Sequence, residues 1–186
     1  WHYYRYKHTE VEDGDIILDI GTAEGLFPLV VIDKCEHIYM VEPSSVFCEA
    51  LKKTFSEYEK KTTIFNNAAG SIDEEVYFNE DSLAGQISND KKGETKIRLI
   101  KIDTLLTDKR ITFIKADIEG FEQEMLLGAE NIIKKNKPKI AITTYHKENN
   151  PVDIINLIKS YVPEYKYFIK GIHGEEPKPV MIHFWI

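Results

Sequence analysis

Short apolar runs alternate along this chain with segments whose apolar residues recur at helical spacing. Runs rich in β-branched and aromatic side chains are typical of strands, and intervening helices cover both faces of a mostly parallel sheet. The pattern therefore predicts an α/β fold with a seven-stranded, mostly parallel sheet. The predicted strands are IILDI (16–20), IYMV (38–41), TTIF (62–65), ITFIKA (111–116), KIAITTY (139–145), YKYFIK (165–170) and VMIHFWI (180–186).

Three segments between these strands have the periodicity of amphipathic helices. Ser44 and Ser45 can cap the first, a predicted helix over 45–60. The second ends before Pro138, which cannot continue a helix, and the third begins at Pro151, because proline is tolerated in a first turn. The predicted apolar faces are Phe47, Leu51, Phe55 and Tyr58, then Phe121, Met125, Ala129 and Ile132 or Ile133, then Val152, Ile155 and Ile158.

Residues 72–104 depart from this alternation. The segments EVYFNE and KIRLIKI resemble paired strands on either side of the polar stretch ISNDKKGE, so we expect a hairpin-like insertion over the sheet edge. The aromatic and basic start, WHYYRYKH, leads us to expect an N-terminal flap over residues 1–13. No linker composition divides the chain, and residues 1–186 are predicted to form a single domain.

The composition narrows the classes of partner. Of the 186 residues, 42% are hydrophobic and 30% are charged, which is ordinary for a folded globular protein. The formal net charge of −7 argues against a nucleic-acid partner, which requires clustered lysine and arginine. Cys35 and Cys48 lack metal-ligand spacing, and no apolar run is long enough to span a bilayer. We therefore expect a cytoplasmic protein that binds a small molecule and has neither nucleic-acid nor membrane partners.

The segment ILDIGTAEG contains the strongest local signal for a ligand site. A strand brings Asp19 to its end, and the chain then turns through Gly21 and Gly25 into a helix, so the backbone can approach a ligand closely. Ala23 stands where the dinucleotide fingerprint has its second glycine. An acidic strand end would repel a pyrophosphate but suits a ligand that carries an ammonium and a sulfonium. The candidate cofactor-binding residues of this loop are Asp19, Gly21, Thr22, Ala23, Glu24 and Gly25.

A second carboxylate follows the next strand, where IYMVEP ends with Glu42 and Pro43. From this position a carboxylate reaches the ribose hydroxyls of a bound nucleoside. Together with Asp19, Glu24 and Asp117, Glu42 would surround the crevice with negative potential. Such a field favours a cationic cofactor such as S-adenosylmethionine and disfavours NAD.

The chain resembles the FkbM family of methyltransferases from about Gly14 to His146. The resemblance is carried by GDIILDIGTAEGLFPL, YMVEP, NNAAG, IDTLL and IKADIEGFEQEMLLGAENIIKKNKPKIAI, of which the last is the most specific. It implies a Rossmann-like class I methyltransferase fold with helices on both faces of the sheet, and S-adenosylmethionine as cofactor. It also implies O-methylation of a hydroxyl on a sugar or other natural product. Asn67 and Ala68 would lie beside the adenine, although a structural turn explains Asn67 equally well.

The expected chemistry is an in-line displacement in which the acceptor alcohol needs a base. Strand ends share one crevice, so Asp117 after the fourth strand and His146 after the fifth are the first candidates. His146 is the expected base, because the ordinary pKa of histidine lies near neutrality. Asp117 would hold the methionine amine, orient the acceptor or support His146. Glu119 and His173 complete the catalytic candidates, and Asp103 either flanks the acceptor pocket or caps a turn.

A bound divalent cation is the alternative to a base. Glu119, Glu122, His146 and His173 could bind one from neighbouring strand ends. No sequential metal motif supports this hypothesis, and acidic residues near a helix start are common because they favour the helix dipole.

Two other functions compete with methyl transfer. One is an NAD-dependent oxidoreductase or sugar epimerase, which the missing second glycine disfavours. The other is a subunit that binds S-adenosylmethionine without turnover. Binding of NAD in place of S-adenosylmethionine would indicate the first, and cofactor binding without transfer to any hydroxyl acceptor would indicate the second.

Overall fold

The computed structural model describes residues 4–79, 86–88, 95–146, 151–173 and 178–186. Strands and helices follow one another in chain order, with a short 3-10 helix, Ser56–Tyr58, before the third strand. These elements are β1 (Ile16–Ile20), α1 (Leu26–Val31), β2 (His37–Val41), α2 (Ser45–Thr54), β3 (Thr62–Phe65), β4 (Ala68–Ala69), β5 (Glu74–Asn79), β6 (Gln86–Ser88), β7 (Thr95–Ile100), α3 (Ile102–Leu105), β8 (Phe113–Ala116), α4 (Glu122–Leu127), α5 (Glu130–Asn136), β9 (Lys139–Thr143), α6 (Pro151–Tyr161), β10 (Lys166–His173) and β11 (Lys178–Trp185).

The main sheet has seven strands in the order β10-β11-β9-β8-β1-β2-β3. The five strands from β9 to β3 are parallel, whereas β11 pairs antiparallel with β9 and with β10. This confirms the predicted seven-stranded, mostly parallel sheet. The chain runs outward from β1 through β2 to β3 and then returns to β8 on the other side of β1. The carboxyl ends of β1 and β8 therefore form the switch point at which open α/β sheets bind ligands.

The two faces of the sheet bury separate apolar clusters. Leu18 and Ile20 of β1 pack in the larger cluster together with buried residues of α4, α5 and α6. Ile17, on the opposite face of the same strand, packs with Val31 of α1 and Leu51 of α2. Because successive strand residues point to opposite faces, these contacts place helices on both sides, as predicted. No helix among the described residues combines the length and the apolar character needed to cross a membrane.

The predicted strand pair of residues 72–104 is present as part of a second, smaller sheet. Strand β5 pairs antiparallel with β7, and the four strands are ordered β4-β7-β5-β6. The sequence did not predict the short strands β4 and β6. Of the expected polar stretch, Ile87 and Ser88 belong to β6, and residues 89–94 lie outside the described residues. A small core contains Ala68, Val76, Phe78, Ile97 and Leu99.

The helix predicted to begin near Phe121 is instead two short helices, α4 and α5, separated at Gly128. Asp103 explains the break, because its carboxylate oxygens accept hydrogen bonds at 2.9 Å from the backbone N–H groups of Asn131 and Ile132. Its own N–H donates to the carbonyl of Gly128 at 2.8 Å. Asp103 therefore acts as a cap supplied from a distant part of the chain, which is the second of its two predicted roles.

The other two predicted helices differ in extent or orientation. Helix α2 ends at Thr54, and the 3-10 helix replaces its predicted last turn. In α6 the fully buried residues are Ile154 and Ile158, whereas Val152 is 60% exposed. The buried face of α6 is therefore rotated from the predicted one. Proline fixes where the helix begins but carries no information about which side contacts the sheet.

Candidate active site

A cavity of about 370 Å³ opens at the switch point between β1 and β8. The loop from Gly21 to Glu24, which follows β1, forms one wall, and Asp117, directly after β8, forms another. The structure thus brings together five of the predicted residues at the expected end of the sheet. Tyr4 and Arg5 of the N-terminal segment also line the cavity, as do Leu26, Phe27 and Val30 of α1 and Lys115 of β8.

Gly21 allows the loop after β1 to lie directly against the end of β8. Its φ is +71°, and a Cβ built on it would lie 1.9 Å from the carbonyl oxygen of Asp117. Gly25 has a φ of +81° and precedes the first residue of α1. Both glycines thus adopt the left-handed backbone conformation that residues with a Cβ rarely take. Ala23 adopts it as well, with a φ of 48°.

Glu42 stabilises the glycine loop from behind. Its carboxylate accepts hydrogen bonds from the backbone N–H of Ala23 at 2.8 Å and from that of Ser44 at 2.9 Å. Burial raises the pKa of Glu42, and these two hydrogen bonds oppose the rise. The second acidic strand end therefore holds the first loop in place, a role that the motif alone did not reveal.

Asp19 lies beneath the loop in a buried ion pair. The Nζ atom of Lys115 is 3.0 Å from Asp19 Oδ1 and donates a hydrogen bond to the carbonyl oxygen of Gly21 at 2.6 Å. Burial raises the pKa of Asp19, and the neighbouring Lys115 opposes that shift. Lys115 thus offsets part of the negative charge that we expected around the crevice.

Tyr4 contacts the predicted catalytic carboxylate from the N-terminal side. Its hydroxyl donates a hydrogen bond to Asp117 Oδ2 at 2.6 Å. Its ring packs edge-on against Phe27, and the Nζ atom of Lys115 lies 5.0 Å from the ring centroid. Burial and the nearby Asp117 raise the pKa of Tyr4, so the phenol remains protonated and acts as a donor. The sequence analysis did not single out Tyr4. The aromatic and basic character of the first residues indicated a flap but not which side chain reaches the site.

His146 lies behind Asp117, surrounded by carboxylates. Its Nδ1 atom is 3.0 Å from Glu122 Oε1, and its Nε2 atom is 3.2 Å from Glu119 Oε2 and 3.8 Å from Asp117 Oδ1. Burial lowers the pKa of the imidazole, but the hydrogen bond to Glu122 and the three negative charges outweigh that effect and raise it overall. The structure therefore gathers Asp117, Glu119 and His146, which were predicted from three separate motif positions.

Glu122 is the fully buried centre of this group. Its Oε1 atom accepts hydrogen bonds from Ile118 N at 3.1 Å, from Thr143 Oγ1 at 2.9 Å and from His146 Nδ1. Its Oε2 atom accepts one from Gly120 N at 3.0 Å. The sequence placed Glu122 among the acidic residues of a helix start but did not reveal its burial or its contact with the imidazole.

A divalent cation would find three ligand atoms close together here. Asp117, Glu122 and His146 each offer one, and these atoms lie within 4.8 Å of one another. Glu122, however, already accepts four hydrogen bonds from the protein, and a cation would have to displace some of them. The arrangement is that of a carboxylate fixing an imidazole, and we do not assign a metal to it.

Three predicted residues have described contacts that do not connect them to the cavity, and a fourth, His173, is described only by its backbone. The side chain of Asn67 donates a hydrogen bond to the carbonyl of Arg98 at 3.3 Å, and Ala68 is buried in the core of the smaller sheet. The carbonyl of Pro43 accepts a hydrogen bond from Asn66 at 2.8 Å. The backbone of His173 ends β10, but its side chain lies outside the described residues. The roles of these residues remain predictions.

Known proteins share this architecture. The crystal structure of methyltransferase FkbM from Methylobacillus flagellatus matches 94% of this chain, with 26% identity and a TM-score of 0.73. The chain covers 44% of that structure, so it spans less than half of the longer protein. No curated protein matches the chain.

Two more distant structures match in fold alone. An rRNA methylase from Streptococcus thermophilus has 12% identity and a TM-score of 0.56, with 94% of this chain and 87% of that one covered. A protein from Streptococcus mutans, described as a methyltransferase and solved in complex with SAH, has 8% identity and a TM-score of 0.57, with coverages of 94% and 89%.

The family comparison agrees with the motifs and with the site. The methyltransferase FkbM domain matches residues 19–168, a range that begins at Asp19 and includes the glycine loop, Asp117, Glu122 and His146. This range contains both strand ends that form the cavity. The chain therefore belongs to the FkbM family of methyltransferases.

Proposed function

We propose that this protein transfers a methyl group from S-adenosylmethionine to a hydroxyl group of a small molecule, such as a sugar or another natural product. One observation carries the choice of a hydroxyl acceptor. Asp117, in the wall of the cavity, already accepts a hydrogen bond from a hydroxyl group, that of Tyr4, at 2.6 Å. An acceptor alcohol that replaced the phenol would meet the same carboxylate oxygen.

The residues of the cavity suit a ligand of mixed charge. The loop from Gly21 to Glu24 would contact the cofactor through its main chain, and Glu42, directly behind that loop, is the candidate for the ribose hydroxyls. Glu24 offers a carboxylate to the ammonium, and Lys115 offers a cation to the carboxylate of the methionine moiety. S-adenosylmethionine supplies an electrophilic methyl group when it is bound there.

The protein's own residues activate the acceptor. Asp117 Oδ2 would receive the proton that the acceptor hydroxyl loses when bound S-adenosylmethionine supplies its methyl group to that oxygen. The other oxygen of Asp117 lies 3.8 Å from His146 Nε2, beyond hydrogen-bond distance, so the proton passes to the imidazole only after Asp117 or His146 has moved closer. Asp117 and His146 thus act as one coupled base, with Glu119 at 3.2 Å from the same nitrogen.

The segment that carries Tyr4 is the candidate flap of this site. Tyr6 stacks on Phe168 with ring centroids 4.5 Å apart, and Thr9 Oγ1 is 2.7 Å from His183 Nδ1. These contacts fix the segment to β10 and β11, so that Tyr4 and Arg5 reach the cavity.

We also propose a reducing, cytoplasmic setting, since Cys35 and Cys48 are both buried free thiols.

Mass spectrometry of the protein after mild denaturation tests cofactor use. We expect co-purified S-adenosylhomocysteine or S-adenosylmethionine, and calorimetry should show binding of S-adenosylhomocysteine but not of NAD. Transfer of a labelled methyl group to sugars and polyketide-like alcohols then tests the acceptor class, with ribosomal RNA and tRNA included because the fold also occurs in an rRNA methylase. Labelling of RNA alone would overturn the proposed acceptor, and cofactor binding without any transfer would favour a binding subunit.

Replacement of His146 tests the proposed base. His146→Ala should lower kcat about 100-fold or more, in the range typical of a lost general base, with little change in cofactor affinity. Equal turnover of the variant and the parent would remove His146 from the reaction.

A further inference from the structure

The buried carboxylate of Glu122 does not itself take part in the proposed methyl transfer. It does not line the cavity wall formed by the glycine loop and Asp117, and it is fully buried. A buried charge is costly unless hydrogen bonds satisfy it, and four protein donors meet this one. Three of these donors belong to the backbone or to Thr143, and the fourth is the imidazole of His146. Through these hydrogen bonds, Glu122 links the turn before α4 to the loop after β9.

We propose that Glu122 is the positioning residue of His146, an inference that rests on the proposed function. The carboxylate accepts a hydrogen bond from Nδ1–H, with Nδ1 at 3.0 Å, and so keeps that nitrogen protonated. Nε2 then becomes the nitrogen that gains and loses a proton, and it is the one that faces Asp117 and Glu119. Glu122 thus selects the tautomer of the imidazole and the direction in which its basic nitrogen points.

The backbone around Glu122 makes this positioning rigid. Ile118 N and Gly120 N fix the carboxylate from the turn after β8, where Glu119 has a φ of +55° and Gly120 a φ of +103°. A left-handed backbone at a non-glycine residue is strained, and strain of this kind persists where the surroundings impose it. The turn brings Glu119 toward Nε2 while Glu122 binds Nδ1, so the imidazole contacts one carboxylate at each nitrogen.

Thr143 links the same carboxylate to Asp117. Its hydroxyl oxygen lies 2.9 Å from Glu122 Oε1 and 3.1 Å from Asp117 Oδ1. One hydroxyl proton can be donated to only one of these oxygens at a time. Thr143, at the end of β9, is thus a common neighbour of two of the carboxylates that lie beside the imidazole.

The charged groups around the imidazole determine how the loss of Glu122 would change the protonation of His146. The titratable groups that face His146 among the described residues are Asp117 and Glu119 after β8, Glu122 in α4, and Tyr145 beside it in the chain. Glu122 contributes both a hydrogen bond and a negative charge that stabilise the protonated ring. Glu122→Gln removes that charge but retains the size of the side chain.

Nuclear magnetic resonance of ¹⁵N-labelled imidazoles tests the inference without any acceptor. In the unaltered protein we expect the neutral ring of His146 to carry its proton on Nδ1 and to lose the second proton from Nε2. The signal is assigned by its absence in His146→Gln. A neutral ring protonated on Nε2 would overturn the proposal. The tautomer is observed in the unaltered protein, so this test does not depend on whether a Glu122 variant folds.

Glu122→Gln should shift the titration of His146 to lower pH by about one unit or more, as expected when a carboxylate in contact is lost. It should also mix the two tautomers of the neutral ring. Glu130→Gln is the matched control, because Glu130 lies on α5 in an exposed ion pair with Lys134 and should leave His146 unchanged. A Glu122→Gln protein with the parental tautomer and titration midpoint would overturn the proposal. Glu122→Asp, which retains the charge, should restore part of the midpoint shift.

Turnover separates this inference from the proposed function. Once an acceptor is found, Glu122→Gln should lower kcat about tenfold or more, leave the KM for S-adenosylmethionine unchanged and move the acid limb of the kcat profile to lower pH. Full activity of His146→Ala would instead overturn the proposed base, whatever the tautomer proves to be. Parental kcat and pH profile in Glu122→Gln, with an impaired His146→Ala, would overturn the positioning role alone.

Discussion

At the scale of single residues, the glycine loop after β1 depends most directly on Gly21, because this position has no room for a side chain. We expect Gly21→Ala to lower the free energy of unfolding by more than about 3 kcal/mol, because a left-handed backbone alone costs about 1–3 kcal/mol and the new Cβ would also meet the Asp117 carbonyl. Binding of S-adenosylhomocysteine, measured by calorimetry, should weaken more than tenfold.

Gly14→Ala is the matched control for this effect. Gly14 also has a positive φ, of +84°, but a Cβ there would have no atom within 4 Å. Gly14→Ala should therefore lose only the stability that backbone strain costs, and it should bind S-adenosylhomocysteine with the parental affinity. Equal affinity losses in both variants would show that the close approach at Gly21 is unimportant.

His183, which does not line the cavity, provides a pH-dependent contribution to stability. It is fully buried, and burial together with the nearby Lys170 lowers its pKa to about 4. The unfolded chain gains a proton below about pH 6.5, whereas the folded chain gains it only near pH 4. Its contribution is therefore complete above pH 6.5 and is lost as the pH falls toward 4, by up to about 3 kcal/mol.

Urea unfolding at pH 7 and pH 4.5 measures this contribution. The parent should lose more stability between the two conditions than His183→Asn does. The same loss in both proteins would mean that His183 does not titrate across this interval.

The motif residues were the most predictable part of the site. Strand ends and glycines brought Gly21 and Asp117 to the cavity wall, because parallel strands bring their carboxyl ends to one edge, whereas Asp19 lies fully buried. The contacts of Lys115 and Tyr4 were not predictable in the same way. The sequence around a lysine in the middle of a strand is the same whether its aliphatic side chain only packs against neighbours or its ammonium neutralises a buried aspartate.

At the scale of elements, the N-terminal segment is the part that most directly affects access to Asp117. Tyr4→Phe keeps the ring beside Phe27 and Lys115 but removes the hydroxyl from Asp117. If an acceptor hydroxyl replaces the phenol, the variant should have a lower KM for the acceptor, since no internal hydrogen bond has to be broken first. Steady-state kinetics with the acceptor varied measures this change.

Tyr6→Phe is the matched control, since Tyr6 contacts Phe168 by ring stacking and the variant retains that ring. Its KM should equal the parental one. An unchanged or higher KM in Tyr4→Phe would contradict the proposed exchange of hydroxyl groups.

Elements were predictable where the determining residues are close in sequence. The main strands follow from short apolar runs, and Ser44 caps α2 through the backbone N–H of Phe47, within its own turn. The break between α4 and α5 was not predictable because it depends on Asp103, which lies in another element. Hydrophobic periodicity continues across the break and therefore indicates one helix.

At the scale of the whole molecule, ligand binding should stabilise the fold through the switch point. A ligand at 100 times its Kd adds about 2.7 kcal/mol, which corresponds to a rise in Tm of about 5–10 °C for a chain of this size. We expect S-adenosylhomocysteine to produce such a rise in differential scanning calorimetry and NAD to produce none. The opposite pattern would favour an oxidoreductase.

The hydrogen bond from Lys115 to the carbonyl of Gly21 also has a consequence for the order of folding. It joins positions that are 94 residues apart, and strands β2 and β3 and the whole smaller sheet lie between them in the chain. Contacts so distant in sequence form late, after the entropy of closing a long loop has been overcome. A nascent polypeptide therefore has no binding pocket until β8 has been synthesised and has docked beside β1, and capture of the ligand reports that both halves of the sheet have come together.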